Sequence, residues 1–139
     1  MSIQEIEEEI IEEFAIFDDW MDKYEYIIDL GKELPGIEEV HKKDENLIKG
    51  CQSRVWLNAE IKDNKITYSA DSDAIITKGI IALLIRVLTN QPAQEIVDTK
   101  LDFINKIGLK EHLSPTRSNG LVSMIKQMKI YALVMQKSK

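Results

Sequence analysis

One cysteine stands in a chain of 139 residues, and that scarcity removes several kinds of chemistry. A single thiol closes no internal disulfide, builds no zinc site on two or more thiolates and runs no Cys-x-x-Cys cycle within one molecule. The two histidines, His41 and His112, are too far apart for an HExxH pair. Nothing in their spacing nominates either as the base that a cysteine hydrolase needs. Three prolines and six glycines exclude a collagen-like or low-complexity chain. Gly-rich phosphate loops and the GxGxxG and GxSxG patterns are missing. Long apolar runs are missing too: the stretch from Ala74 to Leu88 is broken by Lys78 and Arg86, and is too short and too charged to span a bilayer. The opening Met1-Ser2-Ile3-Gln4-Glu5 turns acidic at once, whereas a secretory signal starts basic and continues apolar. The expectation is a cytoplasmic protein with no membrane partner, and a lone thiol suits a reducing compartment.

What is present is enough for one domain over residues 1–139. A chain of this length buries roughly 68–70% of its unfolded surface, so it folds without a covalent or metal staple. The net charge of −6 hides an asymmetry. Residues 1–45 carry 16 acidic and 4 basic side chains; residues 46–139 carry 8 acidic and 14 basic. Such a split steers a charged partner or simply solvates two helix faces of opposite sign. The basic residues are scattered and lack interleaved aromatics, so no nucleic-acid partner is expected.

Ile3, Ile6, Ile10, Phe14, Phe17 and Met21 recur at steps of three and four and predict an amphipathic helix. Asp18 or Asp19 caps a second helix that carries Tyr24, Ile27, Ile28 and Leu34 inward and stops at Pro35-Gly36. From Val55 the period changes to two. Val55, Leu57, Ala59 and Ile61 alternate with polar neighbours, Asp63-Asn64 turns, and Ile66, Tyr68 and Ala70 alternate again, as in a β-hairpin. Asn46–Lys49 is the expected third strand. Asp71-Ser72-Asp73 reads as the start of a largely buried helix from Ala74 to Thr89. Within it Gly79 costs about 1 kcal/mol relative to Ala unless a close packing contact needs it. A turn at Gln94–Val97 and a short helix Leu101–Ile107, stopped by Gly108, follow. Ser114-Pro115 then opens a last helix with Ser114 as its cap. The predicted class is α+β: a small antiparallel sheet, hairpin plus third strand, with helices packed on one face.

Cys51 lies between these elements in Lys49-Gly50-Cys51-Gln52-Ser53-Arg54, a polar loop in which Gly50 permits a sharp turn. Lys49 and Arg54 are cations within three residues of the thiol, and such neighbours favour the thiolate, the nucleophilic form. The opposite reading, a small apolar cysteine packed in the core, stands beside it on local grounds.

Wider stretches resemble a known family. Trp20, Lys23-Tyr24, Ile27-Ile28, Leu30-Gly31 and Leu34-Pro35 come first, followed by Ile48-Lys49-Gly50-Cys51-Gln52-Ser53 and Val55-Trp56. Asp71-Ser72-Asp73-Ala74, Lys78-Gly79, Ile81-Ala82, His112 to Ser118 and Gly120-Leu121 complete the order and spacing. In these blocks the chain resembles the SufE family of sulfur acceptors in iron–sulfur cluster assembly. The resemblance implies a fold related to that of IscU-type scaffolds. It also implies two partners, a pyridoxal-phosphate-dependent cysteine desulfurase and an iron–sulfur cluster scaffold. Cys51 matches the position that takes sulfur as a persulfide. Gly50, Gln52, Ser53, Asp73 and Arg117 fall in matching blocks and are expected to hold the cysteine loop or face a partner, with Gly50 as hinge. With one thiol the chain cannot supply a cluster's ligand set, so neither a metal nor a cofactor of its own is expected. The chain is then an accessory, not an enzyme that desulfurates cysteine alone. A thiol-based redox sensor and an inert interaction module are the alternatives.

Overall fold

The computed structural model describes residues 1–137. Helix α1 (Ile3–Ala15) opens on a reciprocal cap: Ser2 Oγ accepts from the Glu5 amide at 3.1 Å, and the Glu5 carboxylate accepts from the Ser2 amide at 3.0 Å. Its buried stripe is Ile3, Ile6, Ile10 and Phe14. The expected continuation through Met21 fails. The helix stops at Ala15, a new one with its own phase starts at Trp20, and Met21 is 77% exposed. Helix α2 (Trp20–Glu33) is capped by Asp19, whose carboxylate accepts from the Asp22 amide at 2.9 Å.

Strands β1 (Val55–Lys62) and β2 (Lys65–Ser72) form the expected antiparallel hairpin. Asp63 and Asn64 connect them, both with positive φ (54° and 65°), the condition of a type I′ turn. Val55, Leu57 and Ala59 on one strand and Ile66, Tyr68 and Ala70 on the other fill the inward face. The third strand is not where the sequence put it. Around Asn46–Lys49 a single bridge joins Leu47 to Trp56, because Gly50 (φ 92°) turns the chain out of the ladder. The strand that completes the sheet is β3 (Gln91–Pro92), antiparallel to the far side of β2, in the order β1-β2-β3. Asn90 (φ 59°) folds the chain back there, and Gln91 is buried with its side-chain amide donating to the Met1 carbonyl at 2.9 Å.

Helix α3 (Ile75–Leu88) runs under the sheet with Ile80, Ile81, Leu84 and Leu88 essentially inaccessible to solvent. It crosses α2 where two glycines meet: a Cβ on Gly79 would lie 2.2 Å from the Ile27 carbonyl oxygen, and one on Gly31 would lie 2.7 Å from the Gly79 nitrogen. Short helices α4 (Ala93–Asp98), α5 (Phe103–Lys106) and α6 (Leu109–His112) lead to α7 (Pro115–Lys137). The expected cap of α7 is present, with Ser114 Oγ accepting from the Arg117 amide at 3.3 Å. Tyr68 Oη, from the sheet, donates to the Met128 carbonyl at 2.5 Å and fixes α7 across the inward face. The opposite face, with Asn58 and Ser69, borders the segment Pro35–His41.

Candidate functional site

The cysteine loop is held at both feet and rests on α7 between them. At one foot the Ile48 amide donates to the Val55 carbonyl at 2.9 Å. At the other, the Arg54 backbone is gripped three times. Its amide donates to Asp73 Oδ1 at 3.1 Å, and its carbonyl accepts from Ser72 Oγ at 2.8 Å and from the Asp73 amide at 3.3 Å. The expected helix start at Asp71-Ser72-Asp73 is therefore corrected. Asp71 and Ser72 end β2, and Asp73 gives its carboxylate to a loop amide 19 residues away, so α3 begins on Ala74 without a side-chain cap. Asp71 bridges Lys42 (3.1 Å) and Lys78 (3.2 Å). Burial alone would raise its carboxyl, but the Ser72 amide and both ammonium groups outweigh burial and hold it below the usual range.

Between these feet Cys51 is half-buried, its Sγ 3.7 Å from the Gly120 carbonyl oxygen, to which the thiol donates. A Cβ on Gly120 would sit 3.5 Å from Sγ, in ordinary van der Waals contact, so the thiol packs directly on this turn of α7. Gly50 rests on Ser123, with a hypothetical Cβ only 2.4 Å from Ser123 Oγ. The thiol opens onto a cavity of about 390 Å³, walled by the loop, the first turn of α3 and the start of α7. Gln52, Ser53 and Arg117 border the same cavity; Asp73 stands behind it at the loop's foot, and Gly50 lies against α7. Arg117 is exposed, and no carboxylate among the described residues pairs with it.

The thiol's electrostatics differ from the local sequence reading. Lys49 and Arg54 are exposed, where water screens their charge, while burial pushes the Cys51 thiol above its ordinary pKa. Burial therefore favours the neutral thiol over the thiolate at rest. The cavity wall also contains residues that sequence reasoning missed or placed in the core, Ile75, Thr77 and Met124. Thr77, a small polar residue in a largely apolar helix, was the one signal available for them.

Comparisons with known proteins bear on this geometry. The SufE family profile, described as an Fe-S metabolism associated domain, matches residues 8–132. The chain belongs to the SufE family. It is 43% identical to an uncharacterized SufE-like protein of Rhizobium meliloti, over 88% of this chain and 91% of that one. It is 38% identical to an uncharacterized SufE-like protein of Synechocystis, over 91% and 80%. SufE-like protein 1 of Arabidopsis thaliana, chloroplastic/mitochondrial, is 39% identical over 91% of this chain, which corresponds to 34% of that longer protein. Among solved structures, a hypothetical protein from Thermus thermophilus superposes with a TM-score of 0.78 over 95% of this chain and 96% of that one. At 15% identity that likeness carries the α+β fold alone. SufE membership associates the chain with iron–sulfur metabolism, and no helix among the described residues is long and apolar enough to cross a membrane.

Proposed function

We propose that this SufE-family chain is a sulfur acceptor and activator for a pyridoxal-phosphate-dependent cysteine desulfurase, with Cys51 as the acceptor and an iron–sulfur scaffold as the recipient. The observation that carries this reading is the position of Cys51. The chain's one thiol sits in a loop tethered at both feet, against a cavity with room beyond Sγ. Cys51 thiolate attacks the terminal sulfur of the donor's persulfide. The new bond joins Sγ to that sulfur, the donor's S–S bond breaks, and the donor cysteine leaves as a thiolate. Removing that sulfur frees the desulfurase for its next turnover.

The raised thiol pKa makes Cys51 a poor nucleophile at rest, and docking must draw the loop out to water or to a base on the partner. No carboxylate or imidazole lines the cavity among the described residues. Gly50 is the hinge, Asp73 the latch on the loop's foot, and Gln52, Ser53 and the exposed Arg117 guanidinium face the partner. A cytoplasmic setting, where thiols stay reduced, suits a free reactive cysteine. The same burial disfavours a peroxide sensor, which works through an accessible thiolate.

Intact mass after incubation with the host's desulfurase and cysteine, without reductant, tests the reading. The expected result is gain of one sulfur atom, absent in Cys51→Ser, with faster desulfurase turnover that the variant does not support. Full activation by Cys51→Ser would sink it.

A further inference from the structure

The first turn of α3 is a helix start with little to satisfy it. Asp73, in position to cap it, binds the Arg54 amide instead. Ser72 Oγ takes the Ala74 amide at 3.2 Å, and the Lys78 amide reaches the Ala74 carbonyl. The amides of Ile75, Ile76 and Thr77 between them find no acceptor among the described residues. A 14-residue helix places partial positive charge at this end, and uncapped N–H groups there favour an anion.

A second observation points the same way. Thr77 is 8% exposed, lines the Cys51 cavity, and its hydroxyl has no hydrogen-bond partner among the described residues. A helical threonine ordinarily turns its hydroxyl back onto the carbonyl three or four residues earlier. Here that bond is absent, leaving a free donor on the cavity wall. Arg117, without an ion pair among the described residues, borders the same space. The cavity thus offers donors and positive potential, and no carboxylate lines it among the described residues.

We propose that the uncapped start of α3 and the Thr77 hydroxyl form a cradle for the terminal sulfur of a Cys51 persulfide. This rests on the sulfur-acceptor reading and names what holds the cargo. A persulfide loses its proton more readily than its parent thiol, so the cargo is an anion at neutral pH. Charge-assisted hydrogen bonds stabilise that anion. They must weaken when a nucleophile takes the terminal sulfur, because the negative charge then moves to Sγ. The cradle therefore lengthens the life of the stored sulfur between docking events.

The test uses wild-type, Thr77→Val and Thr77→Ser proteins loaded without any desulfurase. Cys51 is first converted to a mixed disulfide with an aromatic thiol, and hydrosulfide then displaces that thiol to leave the persulfide. Cyanide next removes the terminal sulfur as thiocyanate, leaving the Cys51 thiolate, and thiocyanate release gives the rate. Valine matches threonine in shape and removes only the donor. Thr77→Val is expected to lose sulfur about tenfold faster, the scale of one hydrogen bond to a charged group, while Thr77→Ser stays within about twofold of wild type. Alkylation of the unloaded thiol by iodoacetamide should match in all three. Equal sulfur loss in Thr77→Val and wild type overturns the cradle, as does Thr77→Ser behaving like Thr77→Val. So does alkylation that rises in step with sulfur loss, which would mean mere access. Failure of the acceptor reading appears separately, as a chain that holds chemically loaded sulfur but takes none from a desulfurase.

Discussion

Gly79→Ala sets two effects of opposite sign against each other at one atom. On helix propensity alone the change stabilises α3 by about 1 kcal/mol. The crossing with α2 opposes it. The new methyl would lie 2.2 Å from the Ile27 carbonyl oxygen and 2.6 Å from Ile27 Cγ2, and the nearest obstacle is backbone, which cannot rotate away. Ile27 itself is fully buried, so α2 must move as a body. Overpacking of this kind costs typically about 1–3 kcal/mol, and a backbone obstacle places it at the upper end, about 3 kcal/mol. The net is about 2 kcal/mol of destabilisation, or roughly 6–8 °C in melting temperature for a chain of this size. Urea unfolding followed by circular dichroism measures it, with the slope m unchanged if the native state is otherwise intact. Gly31→Ala meets the Gly79 nitrogen at 2.7 Å, so the double variant should lose less than the sum of the two, because one separation of the helices relieves both clashes. Gly79→Ala at or above wild-type stability would refute the argument and show that propensity, not the crossing, governs this position.

Three further outcomes follow from the site and its supports. Asp73→Ala removes the acceptor for the Arg54 amide, a solvent-accessible bond worth about 1 kcal/mol, so Cys51 alkylation in the folded protein should rise about fivefold with little change in global stability. An unchanged rate would show that Asp73 does not latch the loop. The Cys51 alkylation rate should keep increasing past pH 9.0, the ordinary value, because burial favours the neutral thiol; a midpoint below that would restore the view that Lys49 and Arg54 activate it. Arg86 holds Glu13 below its ordinary 4.5 through a paired contact at 2.7 and 2.6 Å. A depressed carboxyl stabilises the fold above that value and loses its contribution as the pH falls through its folded pKa. Arg86→Met should therefore cost about 1 kcal/mol at about pH 7 and less near pH 3; a gap that does not narrow in acid unfolding curves would remove the pair from the account.

Local patterns made much of this molecule legible in its sequence. Alternation with a period of two, plus Asp63-Asn64, specifies a hairpin because side chains on a strand face opposite sides and only such residues readily take positive φ. Asp19 and Ser114-Pro115 specify helix starts because capping is chemistry between neighbours. Gly50-Cys51-Gln52-Ser53, with the blocks around it, marked the family. Tertiary structure decided what depends on distant partners. Gln91–Pro92 is too short to show a period, and it became a strand only because Asn90 laid it against β2. Asp73 had two possible tasks, cap or latch, and the Arg54 amide 19 residues away took it. The cations beside Cys51 in sequence proved weaker than the burial imposed by α3 and α7, because water screens exposed charge and cannot reach a half-buried thiol as freely. Sequence determines neighbours along the chain. The acidity of Cys51, the uncapped start of α3 and the contact at Gly79 depend on neighbours through space, which exist only once the helices have packed.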